Sequence, residues 1–458
     1  MVTAIGLCKP FLKSNSLAVP TENFLVLLRI FVSTGIFAWS TFIVAQPTAH
    51  SEPKPLVYKV QQGDTLQLIL DRHLIQDALP ELIAANVGIN KNEILAGQTI
   101  FIPRSLIRYH RSRAVVVYAK CAEPILRANE AVALKLGSTI DQGDVITVPP
   151  QCALSLQFED RSILRMPSGG SIKIGMLRKS TLEKSPEVQL NLLDGRVEVK
   201  VPKRQSGDAP FGVNTPTSVA GVRGTEFRVG FDRSSGAGKV EVSSGLVGTR
   251  GVADIEEAGV SAQKGVVIPK DGLADKVEDL PTPVKFLSVQ AQQVLGWHLF
   301  VFQGSSNSHR YYLRESQAAN LVSEEDSVQR KEPLFLATQL GSTAKMLTWS
   351  AQTASGLMGD ESVFGICVDQ SGGADIKRCS VLFDLTGLRE PVITLVEAAP
   401  NGQAVEILKA YKPSRELKVL LVKGLPVGNY RWEIKSSVGN NLSTRQDGRF
   451  ELIAATQN

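Results

Sequence analysis

Groups able to do covalent or acid–base chemistry are few in this chain, and they stand far apart. The histidines His50, His73, His110, His298 and His309 fall at intervals that match no metal or triad signature. No G-x-S-x-G elbow, H-E-x-x-H helix, Walker-type loop or dinucleotide glycine run occurs, and Gly236-Ala-Gly238-Lys239 is a short stretch placed in a hairpin. A cysteine nucleophile needs a histidine partner, and Cys121, followed by Ala-Glu-Pro, has none evident. Carboxylate pairs that hydrolyse glycosides are spaced by the fold and leave no sequence signature. The expectation is a chain that binds rather than catalyses, with no cofactor and no metal site.

The cysteines point to a compartment instead. With Cys8 in the leader segment described below, Cys121, Cys152, Cys367 and Cys379 remain as an even number in two separated pairs, which suits an exported protein. Three connectivities are possible. Proximity favours Cys121 with Cys152 and Cys367 with Cys379, and none of the spacings is a C-x-x-C redox or zinc signature.

Lys9, Lys13 and Arg29 precede residues 30–44, which carry no charge, and Ala45-Gln46-Pro47 follows. This is the plan of a signal peptide over residues 1–45, with a mature start near Gln46 and a destination in the periplasm or cell envelope. Counted from Phe24, the apolar run reaches 21 residues, close to a bilayer span, so a membrane contact is expected only if the segment stays uncleaved. Arg29 argues against that anchor.

At 458 residues the chain is about three domain lengths, and its 38 Gly and 23 Pro with 6% aromatics favour turn-rich β structure. A formal charge of +5 is too small to indicate a nucleic-acid partner. Residues 46–56 read as a Pro-containing tether. In residues 57–103 the pattern is strand, helix, helix, strand: Val57–Val60 alternates, Gly63-Asp64-Thr65 supplies a turn and a cap, Leu66, Ile69 and Leu70 recur at helical spacing, residues 78–85 form a second helix, and residues 99–102 close.

The run from Val57 to Leu66, then Leu82, Asn86 and Asn90, then Leu95-Ala-Gly97-Gln-Thr-Ile-Phe-Ile102-Pro103, resembles the LysM domain, a βααβ module that binds N-acetylglucosamine-containing glycans, above all peptidoglycan. The resemblance implies a shallow groove between the first turn and the loop before the last strand, with Gly63, Asp64, Thr65, Leu66, Asn90 and Ile94 as its glycan-binding residues. Backbone groups, a few polar side chains and an apolar floor suffice for a sugar. Asp64 and Thr65 also serve as helix caps.

Residues 104–113 hold four arginines and His110, which could hold an anionic wall polymer or lipopolysaccharide phosphate, but the segment reads first as a basic, solvated linker. From 114 to 270 alternation dominates: Leu154, Leu156 and Phe158; Ile172 and Ile174; Val188, Leu190 and Leu192; then Val197, Val199 and Val201 after Asp194-Gly195, which reads as a hairpin turn. Thr215-Pro216, Gly221-Val-Arg-Gly-Thr-Glu-Phe227 and the strand and Gly hairpin after them resemble the FecR domain, a β-rich periplasmic module. Gly221 and Gly224 are expected to bracket a turn, Arg223 to pair with Glu226, and Phe227, Val229 and Phe231 to enter a core. Members that regulate sigma factors carry a sizeable cytoplasmic portion, whereas about 23 residues precede the apolar run here. The module is therefore expected to be a scaffold for an envelope protein partner.

After a second linker at 271–283, residues 284–388 and 389–458 read as two β-sandwich units with a weak internal duplication around Gly356-Leu357 and Gly424-Leu425. Leu417, Val419 and Leu421, then Tyr430, Trp432 and Ile434, form a hairpin pattern. Gly424 to Tyr430 resembles the tyrosine corner of fibronectin and immunoglobulin sandwiches. Trp297 and Trp432 are expected in sandwich cores. The fold class is thus a multidomain mosaic: a βααβ module followed mainly by β structure.

Overall fold

The computed structural model describes residues 55–455, apart from 122–124, 128–129, 132–133, 151, 168, 205–207, 223, 292–296, 306, 317, 320–327, 339, 369–376, 386–387, 399–403, 415–416 and 439–441. The expected leader, with Cys8, lies outside these residues, as does Arg223. No helix among the described residues is long and apolar enough to cross a membrane.

The first module is the expected βααβ. Strand Leu56–Lys59 pairs antiparallel with Thr99–Ile102, and helices Leu66–His73 and Leu79–Ala84 lie between them in sequence. Its core is small, centred on Ile69, Leu74, Leu82, Ile100 and Ile102, so polar pins matter. Asn86 is one: its amide donates to the carbonyls of Leu82 and Phe101, both at 2.7 Å, and accepts from the Phe101 N–H at 2.7 Å.

Residues 104–113 are not a solvated linker. Leu106 and Ile107 are buried in the core of the first module, and strand Tyr109–Arg111 joins Gly170–Ser180 of the next one. Its arginines are mostly committed: Arg104 to buried Glu183 at 2.9 Å, Arg113 to Asp141 at 3.0 Å, and Arg108 to the Asp71 carbonyl at 2.9 Å. Apolar side chains at 106 and 107 dock the segment, and charge counting alone misses them.

From Tyr109 to Asp279 the strands form one sheet that closes into a barrel around a single core. The alternating runs named above between Leu154 and Phe231 put their apolar residues into that core. The hairpin expected at Asp194-Gly195 is replaced by a bulge in one long strand, Glu187–Lys200. Gly195 takes φ +88°, and a Cβ there would lie 2.6 Å from the Gly169 carbonyl oxygen. Asp-Gly favours left-handed backbone whether the chain reverses or only bends. Here it bends. The half before Gly195 pairs with Gly170–Ser180 and Phe211–Asn214, and the half after it with Glu226–Asp232 and Ile163–Met166. Gly224 has φ +69°, but Gly221 sits in strand Ser218–Val222 with open space around it, so only Gly224 needs glycine's freedom. Glu226 pairs with Lys200 at 2.7 Å.

The segment at 271–283 is also ordered into the fold: Glu278–Asp279 pairs with Lys264–Ile268, and Leu280 is buried. Beyond it stand two cores, as two sandwich units require, but the expected boundary at 388/389 divides no sheet. One eight-stranded sheet spans it, with Ser362–Val368 parallel to Leu442–Ala455, while Arg378–Asp384 pairs with Val419–Pro426. The first core gathers Phe300, Phe302, Trp349 and Phe364; the second gathers Val381, Phe383, Tyr430 and Trp432. Arg378–Asp384 thus belongs with the second core. The side chain of Trp297 lies outside the described residues.

No hairpin joins Val419–Pro426 to Gly428–Val438, because these strands lie in different sheets. Leu417, Val419 and Leu421 face solvent, and Val422 packs inward. The tyrosine corner marks this crossing: the Tyr430 phenol donates to the Pro426 carbonyl at 2.7 Å.

Candidate functional site

In the first module, the turn Gln61–Asp64 is fixed by one carboxylate. Asp64 Oδ2 accepts from the Tyr58 phenol at 2.6 Å and from the Gln61 N–H at 2.8 Å, and Gly63 takes φ +88°. The phenol and the Gln61 N–H hold the Asp64 carboxyl below its ordinary pKa. Burial, with Asp64's hydrogen bond and charge, pushes the Tyr58 phenol up to about 12. Thr65 Oγ1 accepts from the Leu68 N–H at 3.2 Å and caps the helix.

The loop before the last strand is held against this turn. Val60 N–H donates to Gln98 O, and Gly97 N–H to Val60 O, both at 2.8 Å. Within the loop, Asn90 is exposed and its Oδ1 accepts from the Asn92 N–H at 3.1 Å, while Gln98 Oε1 accepts from the Leu95 N–H at 3.0 Å. Gly63, Asp64, Thr65 and Asn90 therefore offer polar surface at two loops, and the neighbouring backbone is tied together. Ile94 is half-buried against the core.

Leu66 differs from expectation. As the first residue of an amphipathic helix it points inward and is 5% exposed, so its side chain belongs to the core. The apolar surface on the loop comes from Leu95, 66% exposed. It occupies the Leu-Ala-Gly-Gln ending, where periodicity assigns no face.

Residues 58–103 match the family described as LysM domain, and residues 144–248 match the one described as FecR protein. The chain carries a LysM domain followed by a FecR domain. LysM domains bind N-acetylglucosamine-containing glycans such as peptidoglycan, and both families are non-catalytic binding or regulatory modules. No curated protein matches the chain. Among solved structures, a candidate anti-sigma factor from Parabacteroides distasonis ATCC 8503 aligns at 16% identity over 30% of this chain, with a TM-score of 0.25. That alignment spans 59% of the other protein's length. The chicken CNTN1 FN1–FN3 domains align at 11% identity over 51% of this chain and 94% of theirs, with a TM-score of 0.14.

The FecR barrel meets the C-terminal region through charge. Glu241 Oε2 accepts from Arg228 at 2.8 Å and Arg196 at 3.1 Å, and its Oε1 accepts from the Met358 N–H at 2.7 Å. Burial works to raise the Glu241 pKa, but the two guanidiniums and the N–H outweigh it and hold the carboxyl below its ordinary value. Asp360 completes the contact, taking Arg228 at 3.3 Å and Gln263 at 2.7 Å. Both cysteine pairs form as proximity favours, Cys121–Cys152 and Cys367–Cys379, with Cα separations of 4.6 and 6.1 Å. Among the described residues, no group of His, Cys, Asp and Glu is arranged to hold a metal ion.

Proposed function

We propose that this is an exported, non-catalytic protein of the bacterial envelope whose LysM domain holds N-acetylglucosamine-containing glycan, peptidoglycan first, while the FecR and C-terminal β domains present a scaffold to another envelope protein. The observation that carries it is the turn built on Asp64 and the loop of Asn90 and Leu95, held together through Val60, Gly97 and Gln98. The sequence match to LysM and the two disulfides, which suit an oxidising compartment, support the same reading.

Calorimetry of the purified chain with chitooligosaccharides tests it. Asn90→Ala combined with Leu95→Glu should weaken binding about tenfold or more, because it removes a polar anchor and an apolar contact from the groove. Equal affinity for parent and variant sinks the site. Incubation with purified sacculi should release no muropeptides.

The FecR match also favours a second reading, a membrane-anchored regulator that relays glycan occupancy. The mass of the protein recovered from cells separates the two. A start near Gln46 supports the exported form, and a retained N-terminal segment supports the regulator.

A further inference from the structure

Arg378–Asp384 and Val419–Pro426 form a two-stranded sheet over the second C-terminal core, and its two edges differ. Along Arg378–Asp384 the edge is closed by backbone. The Ala319 N–H donates to the Leu382 carbonyl at 2.8 Å, the Ala344 N–H to the Ser380 carbonyl at 2.7 Å, and the Ser380 N–H to the Ser342 carbonyl at 2.9 Å. Val419–Pro426 is the opposite edge, and no other strand among the described residues pairs with it.

Parity decides which groups that edge presents, because bonded and non-bonded pairs alternate along an antiparallel ladder. The Leu385 N–H donates to the Lys418 carbonyl at 2.8 Å. In the unbroken register that follows, Leu420 and Val422 therefore face the partner strand, while Val419 and Leu421 turn their N–H and C=O groups outward. The same two residues carry their side chains on the solvent face, 42% and 39% exposed, beside Leu417 at 37%. Unpaired backbone and apolar side chains alternate here as an extended strand would require.

Elsewhere an edge is blunted by its geometry. Ala404–Tyr411, the outer strand of the eight-stranded sheet, has two register shifts against Arg389–Ala398 and takes φ +44° at Ala410. Bulges of that kind discourage pairing. Residues 419–422, Val-Leu-Leu-Val, contain no proline, glycine or charge and keep their register without a shift. Charge guards them instead: Lys418 and Lys423 stand exposed at the two ends and make no ion pair among the described residues, and Asp384, across the ladder from Val419, is itself engaged. A second copy of the chain would bring both pairs of lysines onto one short ladder, whereas a strand with acids at its ends would neutralise them.

We propose that Val419–Pro426 is a docking edge that takes, as an added strand, an extended segment of an envelope protein partner, apolar at alternate positions and acidic at both ends. The proposal rests on the scaffold part of the reading above and gives the scaffold its surface. It does not depend on the glycan site.

Fluorescence anisotropy on the full chain tests it with the labelled peptide Asp-Asp-Val-Thr-Val-Thr-Val-Asp-Asp and a counterpart carrying lysines for the aspartates. The parent should bind the acidic peptide about tenfold more tightly than the basic one at low salt, and the gap should narrow at high salt. Lys418→Glu with Lys423→Glu should reverse that order. Leu421→Pro removes an outward N–H, a change that edge strands tolerate, and should weaken the acidic peptide about tenfold or more while the urea midpoint holds. If this variant loses stability, the acidic peptide N-methylated at its valines decides, since it lacks the donors that face the edge: it should bind about tenfold more weakly, and unchanged affinity overturns the proposal. Failure of the parent to bind the acidic peptide, or equal affinity for the two peptides, overturns it as well. A parent that sediments as a dimer and is dispersed by Leu421→Pro assigns the edge to a second copy and also overturns it. A parent that binds the acidic peptide but no chitooligosaccharide keeps this edge and loses the glycan reading; the converse result loses the edge alone.

Discussion

Two buried glutamates sit at the two places where this chain passes from one domain to the next, and they differ in how completely they are satisfied. Glu241, between barrel and C-terminal region, has both oxygens engaged, by Arg196, Arg228 and the Met358 N–H. Glu183, between LysM domain and barrel, accepts from Arg104 through Oε1, while Oε2 is buried and has no hydrogen-bond partner among the described residues. Burial therefore pushes the Glu183 pKa up, with Arg104 only partly opposing, whereas Glu241 is held down. Burial is common to both; the number of donors decides the sign.

The largest expected effect tests the fuller network. Glu241→Ala leaves two guanidiniums without their shared partner and should cost about 3–5 kcal/mol in urea unfolding. Removing Cys121–Cys152, which closes a separation of 31 residues, should cost about 4 kcal/mol, against about 3 kcal/mol for the separation of 12 at Cys367–Cys379, read from the same denaturation curves. Glu183→Ala should cost only about 2 kcal/mol, because the carboxylate it removes is half satisfied. A loss larger than that of Glu241→Ala would break the comparison.

Acid titration sharpens it further. The lowered Glu241 pKa contributes stability that is present above the ordinary carboxylate range, near 4.3, and is lost as pH falls through its depressed value. For Glu183 the sign reverses: its relative contribution is greatest below about 4.3 and declines as pH rises through its elevated value. The advantage of the parent over Glu241→Gln should therefore shrink on acidification, and its advantage over Glu183→Gln should grow. Parallel curves for the two variants would contradict this. The smallest effect belongs to Tyr430→Phe, which removes a single phenol-to-carbonyl bond and should lower stability by about 1 kcal/mol in the same assay.

The features legible in sequence are those made by neighbours along the chain. Asp64 and Thr65 act within a few residues, the Tyr430 corner closes over four, and alternation in Leu154 to Phe158 needs only one face buried. What depends on distant partners was harder to read. Asp194-Gly195 announces a left-handed backbone, but whether the strand bends or reverses depends on the distant strands that pair with it before and after Gly195. In the same way, Val419–Pro426 alternates like a hairpin arm, and its true partner, Arg378–Asp384, comes from before the expected boundary at 388/389. Leu66 is buried and Leu95 exposed because one is the inward residue of a helix turn and the other stands on a loop that has no period.

Residues 104–113 leave no slack between the LysM domain and the barrel behind it. A slack tether would let the head be captured while the body tumbled freely. Under the glycan-holding function proposed above, capture would become alignment: a wall polymer laid down in one direction would point every copy's barrel the same way, turning the grain of the wall into a compass for a docking partner.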